Sequence, residues 1–145
     1  MVLRSLCVNI LFFSSVIVFF FQNVYQLYNK VPDLCVFLSQ STPNYNIFGI
    51  TESRLDSRIS DQDITVPNYC VSRRDSIVIG QTGIAVYIHN SIADITHRRQ
   101  DLESDLVDCI WLELKPNTNA PNICVCFFNT ETLLLLMNGL TTLYK

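Results

Sequence analysis

A long apolar run near the N-terminus constrains the possible folds more than any other feature of this sequence. It covers residues 6–21, LCVNILFFSSVIVFFF, and no charged residue occurs between Arg4 and Lys30. A membrane-spanning helix needs about 20 apolar residues, with a lower limit of about 17, so this run is borderline. Its second half, VIVFFF, is β-branched and aromatic, which favours a strand in water. Periodicity alone leaves two interpretations open: a spanning helix, or a buried strand that ends near Asn23.

Composition limits the classes of protein that remain. The chain has 145 residues, which suits a single domain with its own core. Hydrophobic residues make up 49% and charged residues 16%, which is not the composition typical of a disordered chain. The net charge of −3 provides no global basic field that would attract nucleic acid. Any contact with DNA would therefore need a local basic patch.

The six cysteines do not follow a metal-binding pattern. No CxxC pair occurs and the chain has two histidines, so a zinc site is not predicted. Cys124 and Cys126 alternate within a strand-like run and would lie on one face of a sheet. We expect all six cysteines to be mostly buried, reduced side chains in a reducing compartment. A disulfide framework is the alternative if the chain is exported.

The remaining pattern predicts an α+β protein in which strands dominate. A helix is expected over about residues 32–40, and an amphipathic helix over about 130–144. Between the two helices we predict strands over residues 47–51, 69–75, 82–90, 107–115 and 123–128. The turn-forming sequence KPNTNAPN joins the last two of these strands into a hairpin. We expect the strands to pair mainly in antiparallel fashion.

Six stretches of the sequence occur in an order that resembles a known superfamily. They are NxxxLxNKVPDLCVFL, PNYNIFGITESRLDSRISD, VPNYCVSRRD, GIAVYIHNSI, LVDCIWLELK and NICVCFF. This order resembles the endonuclease/exonuclease/phosphatase superfamily, which has a DNase I-like fold. More closely, it looks like the apurinic-type endonuclease domain of LINE-like retrotransposons, over roughly residues 17–144. The resemblance implies a four-layer α/β sandwich with two packed sheets, and cleavage of DNA phosphodiesters with a divalent metal, usually Mg²⁺.

The resemblance also implies a division of the chain. Residues 17–145 would be the N-terminal half of an endonuclease/exonuclease/phosphatase-like domain, which makes the fold a partial sandwich that is truncated before its second half. Residues 1–16 would then be an apolar N-terminal extension. Together with residues 17–21 this extension is a candidate membrane anchor, so the membrane is a candidate partner through residues 6–21. The protein would be intracellular, either membrane-anchored or nuclear and cytoplasmic.

Five residues are candidates for the site by this resemblance. Glu52 matches the metal-binding glutamate, since a hard cation prefers a carboxylate oxygen held at a rigid strand end. Asn23 matches an asparagine that supports the metal and the phosphate. Phe127 stands where the family has a tyrosine, and we expect it to be non-functional. Arg73 and Arg74 are weak candidates for contacting a nucleic-acid backbone, because two exposed loop arginines are the commoner interpretation. Arg98 and Arg99 have the same status.

Two motifs that the family needs do not occur in this sequence. One is G-D-F-N, which supplies an Asp and an Asn for activating the nucleophile, and the other is S-D-H, which supplies an Asp–His pair. His89 and His97 lack the S-D-H context, so neither is expected to be catalytic. Without a general base, in-line attack cannot be assembled. We therefore expect a truncated, inactive relic of a Mg²⁺-dependent DNA endonuclease domain. The alternative is a small membrane-anchored protein with an α+β binding domain.

Overall fold

The computed structural model describes residues 5–12, 15–41, 45–76, 82–117, 119 and 121–129. The predicted helix over 130–144 lies outside these residues. The strands are β1 Ser5–Phe12, β2 Ser15–Asn23, β3 Ile47–Thr51, β4 Tyr69–Arg74, β5 Ile84–His89, β6 Thr96–Arg98, β7 Cys109–Leu114 and β8 Ile123–Phe128. The α-helix α1 covers Val31–Gln40, and Pro32 in its first turn suits a helix start. The predicted positions of α1, β3, β4, β5, β7 and β8 are confirmed.

The strands form two sheets. A five-stranded sheet has the order β1-β2-β3-β5-β4, and a three-stranded sheet has the order β6-β7-β8. The prediction of mainly antiparallel pairing is correct except for β2 and β3, which are parallel. Parallel neighbours need a crossover connection, and α1 provides it. As a result the carboxyl ends of β2 and β3 lie side by side, with Asn23 opposite Thr51.

The apolar run near the N-terminus forms a hairpin of two strands. In it β1 pairs antiparallel with β2, from Ser5 opposite Gln22 to Phe12 opposite Ser15. Among the described residues no helix is long and apolar enough to cross a membrane. Because residues 5–12 and 15–23 form the strands β1 and β2, the helical interpretation of residues 6–21 is wrong, and the interpretation of VIVFFF as a core strand is confirmed. The expected boundary after residue 16 falls inside β2.

Burial on both faces explains why β2 is apolar at nearly every position. Phe20 packs in a core between the five-stranded sheet and α1, together with Leu34, Phe48 and Tyr87. Ile17 and Phe19 point to the opposite face and pack in a second core between the two sheets. A strand between two cores therefore needs a continuous apolar run. Such a run has the same composition as a short membrane-spanning helix.

The described residues form three layers: α1, the five-stranded sheet and the three-stranded sheet. The mixed α+β class predicted from the sequence is confirmed. The second core contains, from the smaller sheet, Ile110, Leu112, Leu114 and Phe127. Gly49 lies directly under the ring of Phe127, since a Cβ at this position would be 2.3 Å from the ring. Glycine at position 49 therefore lets the two sheets approach closely.

The expectation that all the cysteines are buried is only partly met. Cys109 is buried, but Cys70 and Cys124 are exposed, and the five cysteines whose side chains are described are all free thiols. Burial and the neighbouring Cys109 thiol raise the pKa of Cys126 to about 12. The expectation of general burial is wrong for Cys70 and Cys124 because each lies on a solvent-facing side of its strand.

Candidate functional site

Asn23 and Glu52 meet at one edge of the five-stranded sheet. Asn23 is the last residue of β2, and Glu52 comes directly after β3. The side-chain amide of Asn23 donates a hydrogen bond from Nδ2 to Oε1 of Glu52, at 2.5 Å. Both side chains reach solvent. The two predicted site residues are 29 positions apart in sequence. The parallel pairing of β2 and β3 brings them into contact.

The chain turns sharply after Glu52 in an uncommon backbone conformation. Glu52 and Arg54 have φ angles of 54° and 53°, in the left-handed region that non-glycine residues rarely adopt. Each such residue costs on the order of 1 kcal/mol and needs support from its surroundings. The support comes from two backbone hydrogen bonds, from Ser53 N to Gly83 O at 3.1 Å and from Arg54 N to Thr82 O at 2.8 Å.

The smaller sheet meets the same edge through Asp108. The hydroxyl of Thr82, just before β5, donates a short hydrogen bond to the Asp108 carboxylate. The Asn129 N–H, just after β8, donates to the Asp108 carbonyl oxygen at 3.1 Å. Sequence reasoning missed Asp108, although its place immediately before a buried strand mirrors that of Glu52 after one. Its contacts fix the ends of β5, β7 and β8 relative to each other.

Arg73 does not face solvent. Its guanidinium donates to the carbonyl oxygens of Ile59 and Asp56, at 2.7 and 3.1 Å, and to the carboxylate of Asp75 at 2.7 Å. The side chain is 15% exposed. Arg73 therefore holds the loop that follows Glu52 against β4.

Arg74 is also occupied by protein atoms. Its guanidinium donates to the Ser104 carbonyl oxygen at 2.7 Å and lies within 4 Å of the carboxylates of Glu103, Asp105 and Asp108. The interpretation of Arg73 and Arg74 as exposed loop residues is wrong, because both lie in β4 with side chains that are 15% exposed; their contact with a nucleic-acid backbone stays a prediction. They belong to β4, and long-range carboxylates and carbonyl groups take up their charge.

Phe127 is a core residue, as its 4% exposure indicates. Its ring stacks against Phe21 with centroids 6.1 Å apart and covers Gly49. Phe21 and Gly49 each lie two residues before the ends of their strands, so Phe127 packs beneath the edge that carries Asn23 and Glu52. The structure gives Phe127 a packing role at this place.

The histidines lie away from this edge. His89 is at the far end of β5, opposite Tyr69, and its Nδ1 atom accepts a hydrogen bond from the Ser91 N–H at 3.2 Å. His97 is an exposed residue of β6, opposite Glu113. The described part of the chain therefore brings no imidazole to Asn23 and Glu52.

The donor chemistry of the pair is compatible with a hydrated magnesium ion. Among the described residues, no group of three or more His, Cys, Asp or Glu side chains is arranged to hold a metal. Mg²⁺ does not need such a group, since it keeps several waters and commonly binds through one or two carboxylates plus a phosphate. Glu52 offers a carboxylate and Asn23 an amide oxygen, both hard donors, at a solvent-accessible edge.

The comparisons with known proteins bear on the fold. No family model matches the sequence, and no curated protein matches it significantly. Among solved structures, the chain is similar to the crystal structure of the AP endonuclease LMAP from Leishmania major, with a TM-score of 0.59 and 18% sequence identity. The match covers 77% of this chain and 39% of that protein, so this chain corresponds to less than half of its length. The described residues thus have part of an AP endonuclease-like α+β fold, as the sequence resemblance predicted.

Proposed function

We propose that this chain provides one half of a Mg²⁺-dependent DNA phosphodiesterase site, with Asn23 and Glu52 as its metal- and phosphate-binding residues. The observation that carries the proposal is the 2.5 Å contact between the Asn23 amide and the Glu52 carboxylate at adjacent strand ends. Two residues singled out from the sequence for the same site are in direct contact.

Each residue has a defined part in this proposal. Glu52 would hold the cation through its carboxylate, and the hydrogen bond from Asn23 fixes the orientation of that carboxylate. The second N–H of the Asn23 amide is then available to a phosphate oxygen. A bound Mg²⁺ would neutralise charge on the phosphate. The left-handed turn at Glu52 and Arg54 keeps the carboxylate at the sheet edge.

We further propose that the chain alone binds DNA without cleaving it. Hydrolysis needs a group that activates water, and the sequence contains neither the G-D-F-N nor the S-D-H motif. The order of the six sequence stretches supports an origin in the endonuclease domain of a LINE-like retrotransposon. The function that remains is metal-assisted binding of a phosphodiester backbone.

A DNA-binding titration with and without Mg²⁺ tests this function. Fluorescence anisotropy on a short DNA duplex should show tighter binding by the wild type in Mg²⁺ than in EDTA. Glu52→Gln should lose that enhancement and bind about 10-fold more weakly in Mg²⁺, because an uncharged amide oxygen holds the cation less tightly than a carboxylate. In EDTA the same variant should bind at least as well as the wild type, since one repulsive charge is gone.

Asp94→Asn is the matched control, because it removes one carboxylate charge from an exposed position in the turn Asn90–Ile95. It should keep the full enhancement by Mg²⁺. A wild type that gains nothing from Mg²⁺, or a Glu52→Gln variant that keeps the gain, would contradict the proposal. Nicking of supercoiled plasmid that depends on Glu52 would refute the proposed lack of cleavage.

A further inference from the structure

Arg54 differs from every other arginine whose surroundings the structure describes. Five of the six described arginines have a carboxylate oxygen within 4 Å; these are Arg58, Arg73, Arg74, Arg98 and Arg99. Arg54 has no such partner among the described residues. Its guanidinium carbon lies 3.5 Å from the centre of the Tyr25 ring. Its Nε atom is buried and has no hydrogen-bond acceptor among the described residues.

The position of Arg54 is fixed independently of its charge. Its backbone N–H is bound to the Thr82 carbonyl oxygen, and its φ angle is left-handed. Stacking on Tyr25 restricts the side chain further. The guanidinium is thus ordered before any ligand arrives, so little rotamer entropy remains to be lost on binding.

A cavity of about 200 Å³ lies beside this guanidinium. It lies between the turn Leu27–Lys30 and the loop that follows β3, and its lining includes Asn29, Ser53, Arg54 and Arg58. Asp56 also lines it, but two hydrogen bonds from the Arg58 guanidinium, at 2.9 and 2.8 Å, occupy its carboxylate. The uncompensated charge at this cavity is therefore the positive charge of Arg54.

We propose that Arg54 and this cavity form an anion subsite that takes a phosphate group of a nucleic-acid strand, next to the phosphate held by Asn23 and Glu52. The planar fork of N–H donors in a guanidinium matches two phosphate oxygens at once. Arg54 is two residues from Glu52, so both groups can contact one strand. This inference rests on the proposed function and adds the residue that holds the flanking backbone.

The salt dependence of DNA binding tests the subsite, because each phosphate contact contributes about one unit to the slope of log K against log salt. Arg54→Gln should weaken binding about 10-fold at low salt and reduce the slope by about one. Arg54→Lys should keep the slope and recover part of the affinity. Arg99→Gln makes the same charge change at an arginine outside this cavity, paired with Asp101 and Glu113, and should shift affinity by less than about 2-fold.

A second measurement does not depend on DNA cleavage or on a metal. The ¹H–¹⁵N signal of the Arg54 side-chain Nε should shift on titration with the dinucleotide pTpT in EDTA, and the Arg99 signal should shift less because its Nε donates to Asp101 outside the cavity. An unchanged Arg54 signal, or an Arg54→Gln variant with the affinity and salt slope of the wild type, would overturn the inference. If the wild type bound no DNA, the proposed function would fail, and the pTpT titration would still decide the subsite.

Discussion

Arg54 and Arg74 lie near the same edge of the sheets, but their environments are opposite. Three carboxylates surround Arg74 within 4 Å. Arg54 rests on an aromatic ring and has no carboxylate partner among the described residues. The difference shows that the location of a positive charge does not by itself mark a surface for nucleic acid. The neighbouring carboxylates decide whether the charge is used inside the protein or is available to a ligand.

The paired arginines join the two sheets. Arg98, in β6 of the smaller sheet, donates to the Arg73 carbonyl oxygen in β4 of the larger one at 2.8 Å. The same guanidinium donates two hydrogen bonds of 2.8 Å to Glu103, whose side chain is 8% exposed. Arg74 adds contacts from β4 to Glu103 and to Asp108 beside β7. These arginines therefore stabilise the packing of the sheets, while Arg54 serves the ligand.

Removal of Arg98 is expected to give the largest change in stability. Arg98→Ala leaves the carboxylate of Glu103 poorly compensated and breaks the link to β4, which should cost about 3 kcal/mol of unfolding free energy. Urea denaturation measures this loss. Arg54→Ala is the control, since Arg54 has no carboxylate partner among the described residues and its stacking on Tyr25 should contribute less than about 1 kcal/mol. Equal losses in the two variants would contradict the division into structural and available arginines.

A substitution beneath the site edge should also act on stability. Gly49→Ala would bring a methyl group into the Phe127 ring, and such overpacking typically costs about 1–3 kcal/mol. The double variant with Phe127→Leu should recover part of the loss, because the smaller side chain vacates the contested space. Chemical denaturation of the single and double variants measures the coupling. Strictly additive losses would show that Gly49 and Phe127 are not in contact.

Tyr25 should affect binding much more than stability. Tyr25→Leu removes the ring beneath Arg54 and should weaken DNA binding by about 0.5–1 kcal/mol, or about 2- to 5-fold. Tyr25 is 50% exposed, so the melting temperature should hardly change. Tyr25→Phe keeps the ring and serves as the control, with affinity close to that of the wild type. A loss of stability without a loss of affinity would assign Tyr25 to packing instead.

The smallest expected effect concerns pH. Burial alone would raise the pKa of Glu113, but hydrogen bonds from Arg99, Lys115 and Asn122 outweigh burial, so the pKa is lowered. The hydrogen bond from Arg99 also lowers the pKa of Asp101. Because these folded-state values lie below the unfolded ones, the stabilisation is present above the unfolded pKa and is lost as pH falls through the folded values. Melting temperatures between pH 5 and pH 3 should therefore fall less steeply for Arg99→Gln than for the wild type. Identical slopes would show that Arg99 does not stabilise these carboxylates.

The sequence predicted the parts of the molecule that local pattern determines. Five strands and α1 lie where apolar runs and turn residues indicate them. Asn23 and Glu52 are singled out by the family resemblance instead, and their roles in a site stay predictions. The roles of the arginines could not be predicted in this way, because their partners are distant in sequence: Arg74 binds Asp108 and Arg98 binds the Arg73 carbonyl group. Tertiary contacts of this kind are set by sheet packing and leave no periodic signal.

The apolar run near the N-terminus shows a second limit of local pattern. A strand buried on both faces and a short membrane-spanning helix have similar composition, so residues 6–21 are consistent with either. The structure decides between the two, because β2 pairs with β1 on one side and with β3 on the other. The pairing with β3 is long-range and cannot be seen in the local composition. The parallel pairing of β2 with β3 likewise depends on the crossover through α1.

The location of a bound divalent ion tests the central claim most directly. Mn²⁺ prefers the same hard oxygen ligands as Mg²⁺ and broadens the NMR signals of nearby nuclei. Titration of the ¹⁵N-labelled protein with substoichiometric Mn²⁺ should broaden the amide signals of Asn23 and Glu52 first and leave His89, at the far end of β5, sharp. Glu52→Gln should abolish this selective broadening. Selective broadening elsewhere, or broadening that survives in Glu52→Gln, would contradict a metal- and phosphate-binding site formed by Asn23 and Glu52.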